Sequence, residues 1–297
     1  MRTTTKAVER VGRAALAVPM GGRVPVLRPR ISRQRLADAI RDRRVLLTGA
    51  SSGIGLETAL ALGRAGGEVI IVARREDRLS EIAERIRAHG GEADTVAADL
   101  AHTEEADAVV ETIIERHGGV DVLINNAGHS IRRPLSRSYD REHDFERTMA
   151  LNYFGALHLI LGLLPGMRDR GDGHIVNVST MGAEIGPGVR FPAYLASKAA
   201  LDAFTASAAP ETAHEGVAWT TVYMPLVRTP MVEPTRAYRN MPMLSARDAS
   251  QLVLEAIVDR PRQVTTPAGR AAALLYELSP GAVDSLVSFG YRYGIKL

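Results

Sequence analysis

The amino-acid sequence predicts a doubly wound α/β fold, a parallel sheet of about seven strands with helices on both faces. Three observations predict it. Short β-branched runs, apolar almost throughout, alternate with helix-length amphipathic stretches. The connections between them are short and carry Gly and Pro as punctuation. The first apolar run leads directly into a glycine-rich turn, Thr48-Gly49-Ala50-Ser51-Ser52-Gly53-Ile54-Gly55, which opens an amphipathic stretch.

Strands are expected at Val45–Thr48, Val69–Ala73, Asp94–Ala97, Val122–Asn125, Ile175–Ser179, Trp219–Tyr223 and Gln263–Thr266. Their near-continuous apolar character suits strands covered on both sides. Helices are expected over Ile54–Arg64, Glu76–His89, Glu104–His117, His143–Arg168, Ala193–His214 and Ala246–Val258. With no repeat, low-complexity insert or composition break, residues 43–266 read as one domain. Residues 1–42 read as a basic, flexible N-terminal extension, and 267–297 as a C-terminal extension with helical stretches near the substrate entrance.

Composition removes several function classes. At 297 residues with 45% hydrophobic and 24% charged content, the chain is ordinary for a globular protein. It has no cysteine, which excludes a disulfide framework, a thiolate metal site and a cysteine nucleophile. Its eight histidines show no metal-ligand spacing, so no metal is expected. The longest apolar run, Leu157–Leu164, is interrupted by Gly162 and closed by Pro165, too short for the roughly 18 residues of a membrane span. The net charge is +3, but the first 44 residues hold twelve basic side chains against Glu9, Asp38 and Asp42. Such a leader is either a solvated arm or a contact for anionic lipid, nucleic acid or CoA phosphates, and its Arg/Thr-rich, acid-poor character is also that of a transit peptide. It lacks an aromatic residue to stack on bases, so no nucleic-acid partner is expected. A cytoplasmic location is expected, with peripheral membrane contact through the leader left open. Lysine is scarce: Lys6, Lys198 and Lys296 stand against 34 arginines, so Lys198 is the one lysine away from the termini.

The glycine turn needs glycines because the loop turns tightly and its backbone must approach a pyrophosphate closely. The helix behind it offers free N–H groups and a positive dipole end to the phosphates. Gly49, Ser51, Ser52, Gly53, Ile54 and Gly55 are therefore candidate cofactor-binding residues of a Rossmann-type fold. The second strand ends in Ala73-Arg74-Arg75, where a protein selecting NAD places an acid for the ribose 2′-hydroxyl. Arg74 and Arg75 would instead pair with the 2′-phosphate of NADP, so NADPH is the expected cofactor.

Tyr194-x-x-x-Lys198 opens an expected helix, and the i, i+4 spacing puts both side chains on one face. A phenol is a poor acid–base group at neutral pH, and a nearby ammonium lowers its pKa toward that task. Between loop and tyrosine the chain runs through Asp99-Leu100, Asn125-Asn126-Ala127-Gly128, Asn152 and Ser179-Thr180, and after it through Pro225-Leu226-Val227-Arg228-Thr229. In this order, with Gly-x-x-x-Gly-x-Gly spacing, the motifs resemble the short-chain dehydrogenase/reductase superfamily.

The resemblance implies that Asp99 and Leu100 border the adenine, and that Asn126, Ala127 and Gly128 line the cofactor. It implies that Asn152 holds a water linking Lys198 to a proton relay, and that Pro225, Val227 and Thr229 border the nicotinamide. The family's serine stands 13 residues before the tyrosine, a position held here by Met181. Alignment by motif makes Thr180 the hydroxyl donor, Ser179 remains an alternative, and the extra residue is placed at Gly186-Pro187-Gly188. The stretches Asn125–Arg133, His143–Met149, Leu151–Ala156, Ala196–Phe204 and Tyr223–Met231 are similar to bacterial fatty acyl-CoA reductases of the wax-ester type. That similarity implies an acyl-CoA substrate reduced to the fatty aldehyde by direct hydride transfer, and a homo-oligomer, dimer or tetramer. The alternatives are a ketone or 3-oxoacyl reductase or alcohol dehydrogenase with the same site, and a non-catalytic NADP-binding protein.

Overall fold

The computed structural model describes residues 30–186 and 188–293. Most of the basic leader lies outside the described residues, as does Pro187 of the expected insertion. The strands are β1 (Arg44–Thr48), β2 (Glu68–Ala73), β3 (Glu92–Ala97), β4 (Val122–Asn125), β5 (Gly173–Thr180), β6 (Val217–Met224), β7 (Val227–Arg228), β8 (Leu244–Ser245) and β9 (Gln263–Val264). Seven of them form one parallel sheet in the order β3-β2-β1-β4-β5-β6-β9, while β7 and β8 pair with each other in a separate two-stranded sheet. The order reverses between β1 and β4, which opens a crevice at their carboxyl ends.

Alternation along the strands divides the core into two layers. Val45, Leu47, Val69, Ile71, Val122, Ile124 and Val176 face one way, toward the helices Gly53–Arg64, Glu76–Arg87 and Ala246–Asp259. Leu46, Ile70, Val72, Leu123 and Ile175 face the other, toward Thr103–His117, Ala156–Arg170 and Pro192–Thr212. Every one of these strand residues is buried, which is why the strands read as uninterrupted apolar runs.

Three departures from the sequence reading matter. First, Arg33–Ile40, inside the stretch assigned to the leader, is a helix capped by Ser32, whose hydroxyl accepts from Arg35 N. Leu36 and Ile40 are buried in the first layer, and Arg30 and Arg35 pair with Asp248 and Asp259 of the helix Ala246–Asp259. The packed chain therefore begins upstream of Arg43.

Second, the helix expected over His143–Arg168 is interrupted. Glu142–Met149 passes through a π-helical turn, Ala150–Gly155, into Ala156–Arg170. Such turns often mark functional positions, and here Gly155 fits beneath the Leu100 carbonyl, where a Cβ would clash at 2.3 Å. By length and composition the run Glu142–Arg170 could also cross a membrane, despite Gly162 and Pro165. Leu159, Ile160, Leu163 and Met167 use that apolar character in the second core layer.

Third, β9 stops at Val264, because the Thr266 hydroxyl turns to accept Gly269 N and caps the helix Pro267–Leu278. A second C-terminal helix, Pro280–Arg292, follows.

Candidate active site

The first wall of the crevice is made almost entirely of backbone. Gly49 and Gly53 adopt left-handed conformations (φ +67° and +57°), which favour glycine. A Cβ on Gly49 would lie 2.8 Å from Ala127 Cα, and one on Gly55 would lie 2.3 Å from Gly49 O. The loop is thereby pressed against Asn126-Ala127-Gly128, with the N-terminus of Gly53–Arg64 facing the crevice. Thr48, which the sequence reading did not single out, ties the two together. Its buried hydroxyl donates to Ile124 O (3.3 Å) and accepts Asn126 N and Ala127 N (both 3.0 Å). Asn126 Nδ2 in turn donates to Thr48 O at 2.9 Å.

At the end of β2, Arg74 and Arg75 are exposed. Arg75 Nη2 lies 3.5 Å from Ser51 Oγ, and Arg74 Nη1 lies 3.6 Å from Asp99 Oδ2, so both guanidiniums border the glycine loop or the β3 turn. No acid stands at the strand end. Asp99 also folds onto its own turn, accepting Ala101 N at 3.1 Å, while Leu100 is buried. On the far side the Thr229 methyl comes within 3.0 Å of a Cβ built on Gly53, so the segment after β6 closes over the loop. Val227 is buried in β7, one residue past Leu226, whose carbonyl accepts Leu244 N. The glycine cradle, the helix N-terminus and the two arginines fit a dinucleotide carrying an extra phosphate.

The second wall carries the ionisable groups. Thr180 ends β5, and its hydroxyl, which accepts Gly182 N at 3.4 Å, lies close enough to the Tyr194 phenol, near the start of the helix Pro192–Thr212, to act on it. Ser179 points to the opposite face of the strand, where its hydroxyl donates to Asp202 Oδ2 at 2.9 Å. The structure thus brings Thr180 and Tyr194 together and leaves Ser179 outside that pair.

Burial pushes the Tyr194 phenol up to about 12, Tyr238 and Asp202 add to the rise, and the Thr180 hydroxyl opposes it. Lys198 is buried, its Nζ donates to Val178 O at 2.8 Å, and burial pulls its pKa down to about 8. Gly128 lies beside both Lys198 and Asn152, a Cβ there falling 3.5 Å from Nζ and 3.4 Å from Asn152 Oδ1.

Asn152 sits in the π-helical turn with its amide fully engaged. Oδ1 accepts His129 N at 2.7 Å, and Nδ2 donates to His129 O and Ser197 Oγ, both at 2.9 Å. Ser197 passes the connection on, its hydroxyl donating to Tyr194 O. Its place beside Lys198 in sequence was the available signal for it.

Outside Tyr194 the crevice opens through rings and cations. Phe191 packs edge-on against Tyr194 (centroids 6.3 Å apart), and the Arg132 guanidinium lies 5.9 Å from the centroids of both Phe191 and Tyr238. Arg133 N donates to Arg190 O at 2.7 Å, pairing the loop after β4 with the loop after β5. Buried Asp144 braces the first of these loops, accepting from Arg133 Nε (2.7 Å) and Arg147 Nη2 (2.6 Å), and these arginines hold its carboxyl down at about 2 against the effect of burial. Tyr276 of the helix Pro267–Leu278 covers Gly186, where a Cβ would come within 2.6 Å of its ring.

Comparison with known proteins agrees with this geometry. The family model for short chain dehydrogenases matches residues 43–240. A fatty acyl-CoA reductase of Acinetobacter baylyi is 45% identical over 253 residues, covering 85% of each chain. A fatty acyl-CoA reductase of Mycobacterium tuberculosis is also 45% identical, covering 88% of this chain and 91% of the relative. Among solved structures, a metagenomic short-chain oxidoreductase in complex with NADP superposes with a TM-score of 0.65 at 28% identity, over 76% of this chain and 97% of that one. The protein is an oxidoreductase, and its chain belongs to the short-chain dehydrogenase family.

Proposed function

We propose that the protein reduces long-chain fatty acyl-CoA to the fatty aldehyde with NADPH. The observation that carries the chemistry is the Thr180–Tyr194 hydroxyl pair at the crevice, with Lys198 buried one helical turn behind. Identity of 45% to two fatty acyl-CoA reductases carries the substrate class.

Gly49, Ser51, Ser52, Gly53, Ile54 and Gly55 would hold the pyrophosphate, and Asn126, Ala127 and Gly128 would line the cofactor. Arg74 and Arg75 would select the 2′-phosphate, Asp99 and Leu100 would border the adenine, and Pro225, Val227 and Thr229 would border the nicotinamide. NADPH, when bound, supplies the hydride.

Thr180 and Tyr194 donate hydrogen bonds to the thioester oxygen as negative charge develops on it. The tyrosine, kept protonated by its burial, gives its proton to that oxygen, leaving a hemithioacetal that collapses to aldehyde and free CoA. Lys198 replenishes the phenol proton, with Asn152 positioning the adjoining backbone. With no cysteine in the chain, a covalent thioester on the protein is not available.

The test is NADPH oxidation by purified protein with palmitoyl-CoA, free CoA and hexadecanal being assayed together. One CoA released per NADPH oxidised supports the reading. Turnover confined to a simple ketone or a 3-oxoacyl ester replaces it with a ketone reductase on the same site.

A further inference from the structure

The helix face that carries Tyr194 and Lys198 carries a third ionisable group, Asp202, four residues beyond the lysine. Its carboxylate is held on one side only. Oδ2 accepts the Ser179 hydroxyl at 2.9 Å, while Oδ1 is buried without a hydrogen-bond partner among the described residues. Lys198 is in a matching position, a buried ammonium whose hydrogen bond goes to a neutral carbonyl, Val178 O. Burying a charge is costly unless an opposite charge lies within reach, and Asp202 is the carboxylate whose field acts on Lys198.

We propose that Asp202 is a positioning residue of the reductase site. Its carboxylate keeps the buried Lys198 cationic, and its hydrogen bond holds the Ser179 hydroxyl on the strand face where alternation places it, with Thr180 as the hydroxyl beside the phenol. This rests on the reading of Tyr194 and Lys198 given above.

The electrostatic surroundings agree. Burial pushes the Asp202 carboxyl up to about 6, against the Ser179 hydrogen bond and the Lys198 charge, which favour its ionised form. Burial pulls Lys198 down to about 8, against the Asp202 charge. Between those values the two are oppositely charged, and each sustains the other. The other groups facing Asp202 are Tyr194 on its own helix, Tyr223 on β6, and Glu184 after β5, whose like charge opposes Asp202 ionisation. Glu184 is itself held by the Thr265 hydroxyl at 2.6 Å. Asp202 was legible in sequence as the next member of the i, i+4 series, but its link to Ser179 depends on how the helix docks against β5.

The scarcity of lysine makes a direct test practical, because protein labelled with ¹³C at lysine Cε gives signals only from Lys6, Lys198 and Lys296. Lys198, assigned by its loss in Lys198→Arg, should titrate with a midpoint near 8, apart from the two terminal lysines. In Asp202→Asn that midpoint should fall by about one pH unit, and Asp202→Glu should restore it. An unchanged midpoint in Asp202→Asn would overturn the proposal.

Should Asp202→Asn not fold, the wild-type protein still decides. Its Lys198 signal should show a second inflection near pH 6 as Asp202 titrates, one that persists in Glu184→Gln. A single inflection overturns the proposal. In the NADPH-oxidation assay, the alkaline limb of Asp202→Asn should move down with the lysine midpoint. Wild-type protein inactive in that assay would remove the reductase reading while leaving the lysine titration to stand by itself.

Discussion

The wall of the crevice built by β1, β2 and β4 consists of glycines and backbone amides locked by Thr48 and Asn126. The wall built by the end of β5, the helix Pro192–Thr212 and the loops after β4 and β7 consists of a phenol, a lysine, aromatic rings and arginines. The first fits a ligand whose shape is the same for a whole family of proteins. Its requirements are local, so they appear as a short motif with fixed spacing. The second must fit one substrate and move a proton. Its groups come from four separate stretches of chain, and their mutual arrangement depends on packing. A family can therefore be recognised from the first wall, whereas the reaction and its substrate depend on the second.

The largest effect that would test this division is at Tyr194. Tyr194→Phe should lower kcat by about a thousandfold, the range for removal of a positioned acid, while NADPH affinity, read by fluorescence titration, stays within about threefold. A comparable loss of NADPH affinity would show that the two walls are not separable.

Thr180→Ala should cost about a hundredfold in kcat/KM, the usual effect of removing one oxyanion donor. Thr180→Ser should recover most of it. Ser179→Ala should cost far less, because Ser179 is turned to Asp202. Equal losses in Thr180→Ala and Ser179→Ala would contradict the assignment of Thr180.

On the other wall, Gly55→Ala drives a Cβ into Gly49 O at 2.3 Å. Relief of such overpacking costs about 1–3 kcal/mol, or roughly five- to a hundred-and-fiftyfold in NADPH dissociation constant. Once NADPH is saturating, kcat should be little changed, the reverse of the pattern expected at Tyr194.

These contrasts show how much was legible before the structure. The strands and most helices fell within a few residues of their observed limits, because each carries its own periodicity. The π-helical turn at Asn152 did not, since it arises where the helix must pass under Leu100, a contact between distant parts of the chain. The helix Arg33–Ile40 was masked by its surrounding positive charge, and only burial of Leu36 and Ile40 shows that it joins the fold. Alignment by motif favoured Thr180 but kept Ser179 as an alternative, because adjacent strand residues look alike until one knows which face meets the tyrosine. Arg132, Phe191 and Tyr238 have no spacing in common, and nothing in sequence joins them.

The smallest predicted effect on the crevice is none at all, from a control that lies away from it. His174, buried in β5, donates from Nε2 to Thr220 Oγ1 at 2.9 Å, since that hydroxyl spends its own proton on Pro261 O. Burial lowers its pKa from 6.5 to about 3, so the folded protein keeps this histidine neutral. Between those values the unfolded chain binds the extra proton, and stability is lost as pH falls through that window, by about 1.4 kcal/mol per unit at most. Urea unfolding from pH 7 to pH 4 should show that slope, and His174→Asn should flatten it. The pH profile of NADPH binding should be unaffected by the same substitution.

The central claim is direct hydride transfer to a thioester carbon, and isotope transfer tests it most directly. NADPH deuterated at C4 on the transferred face should be incubated with the protein and palmitoyl-CoA, and the products examined by mass spectrometry. The account predicts hexadecanal carrying one deuterium at C1 for each CoA released, with no acyl group retained on the protein. No labelled aldehyde from palmitoyl-CoA, but deuterium at C3 of a 3-oxoacyl substrate, would contradict it.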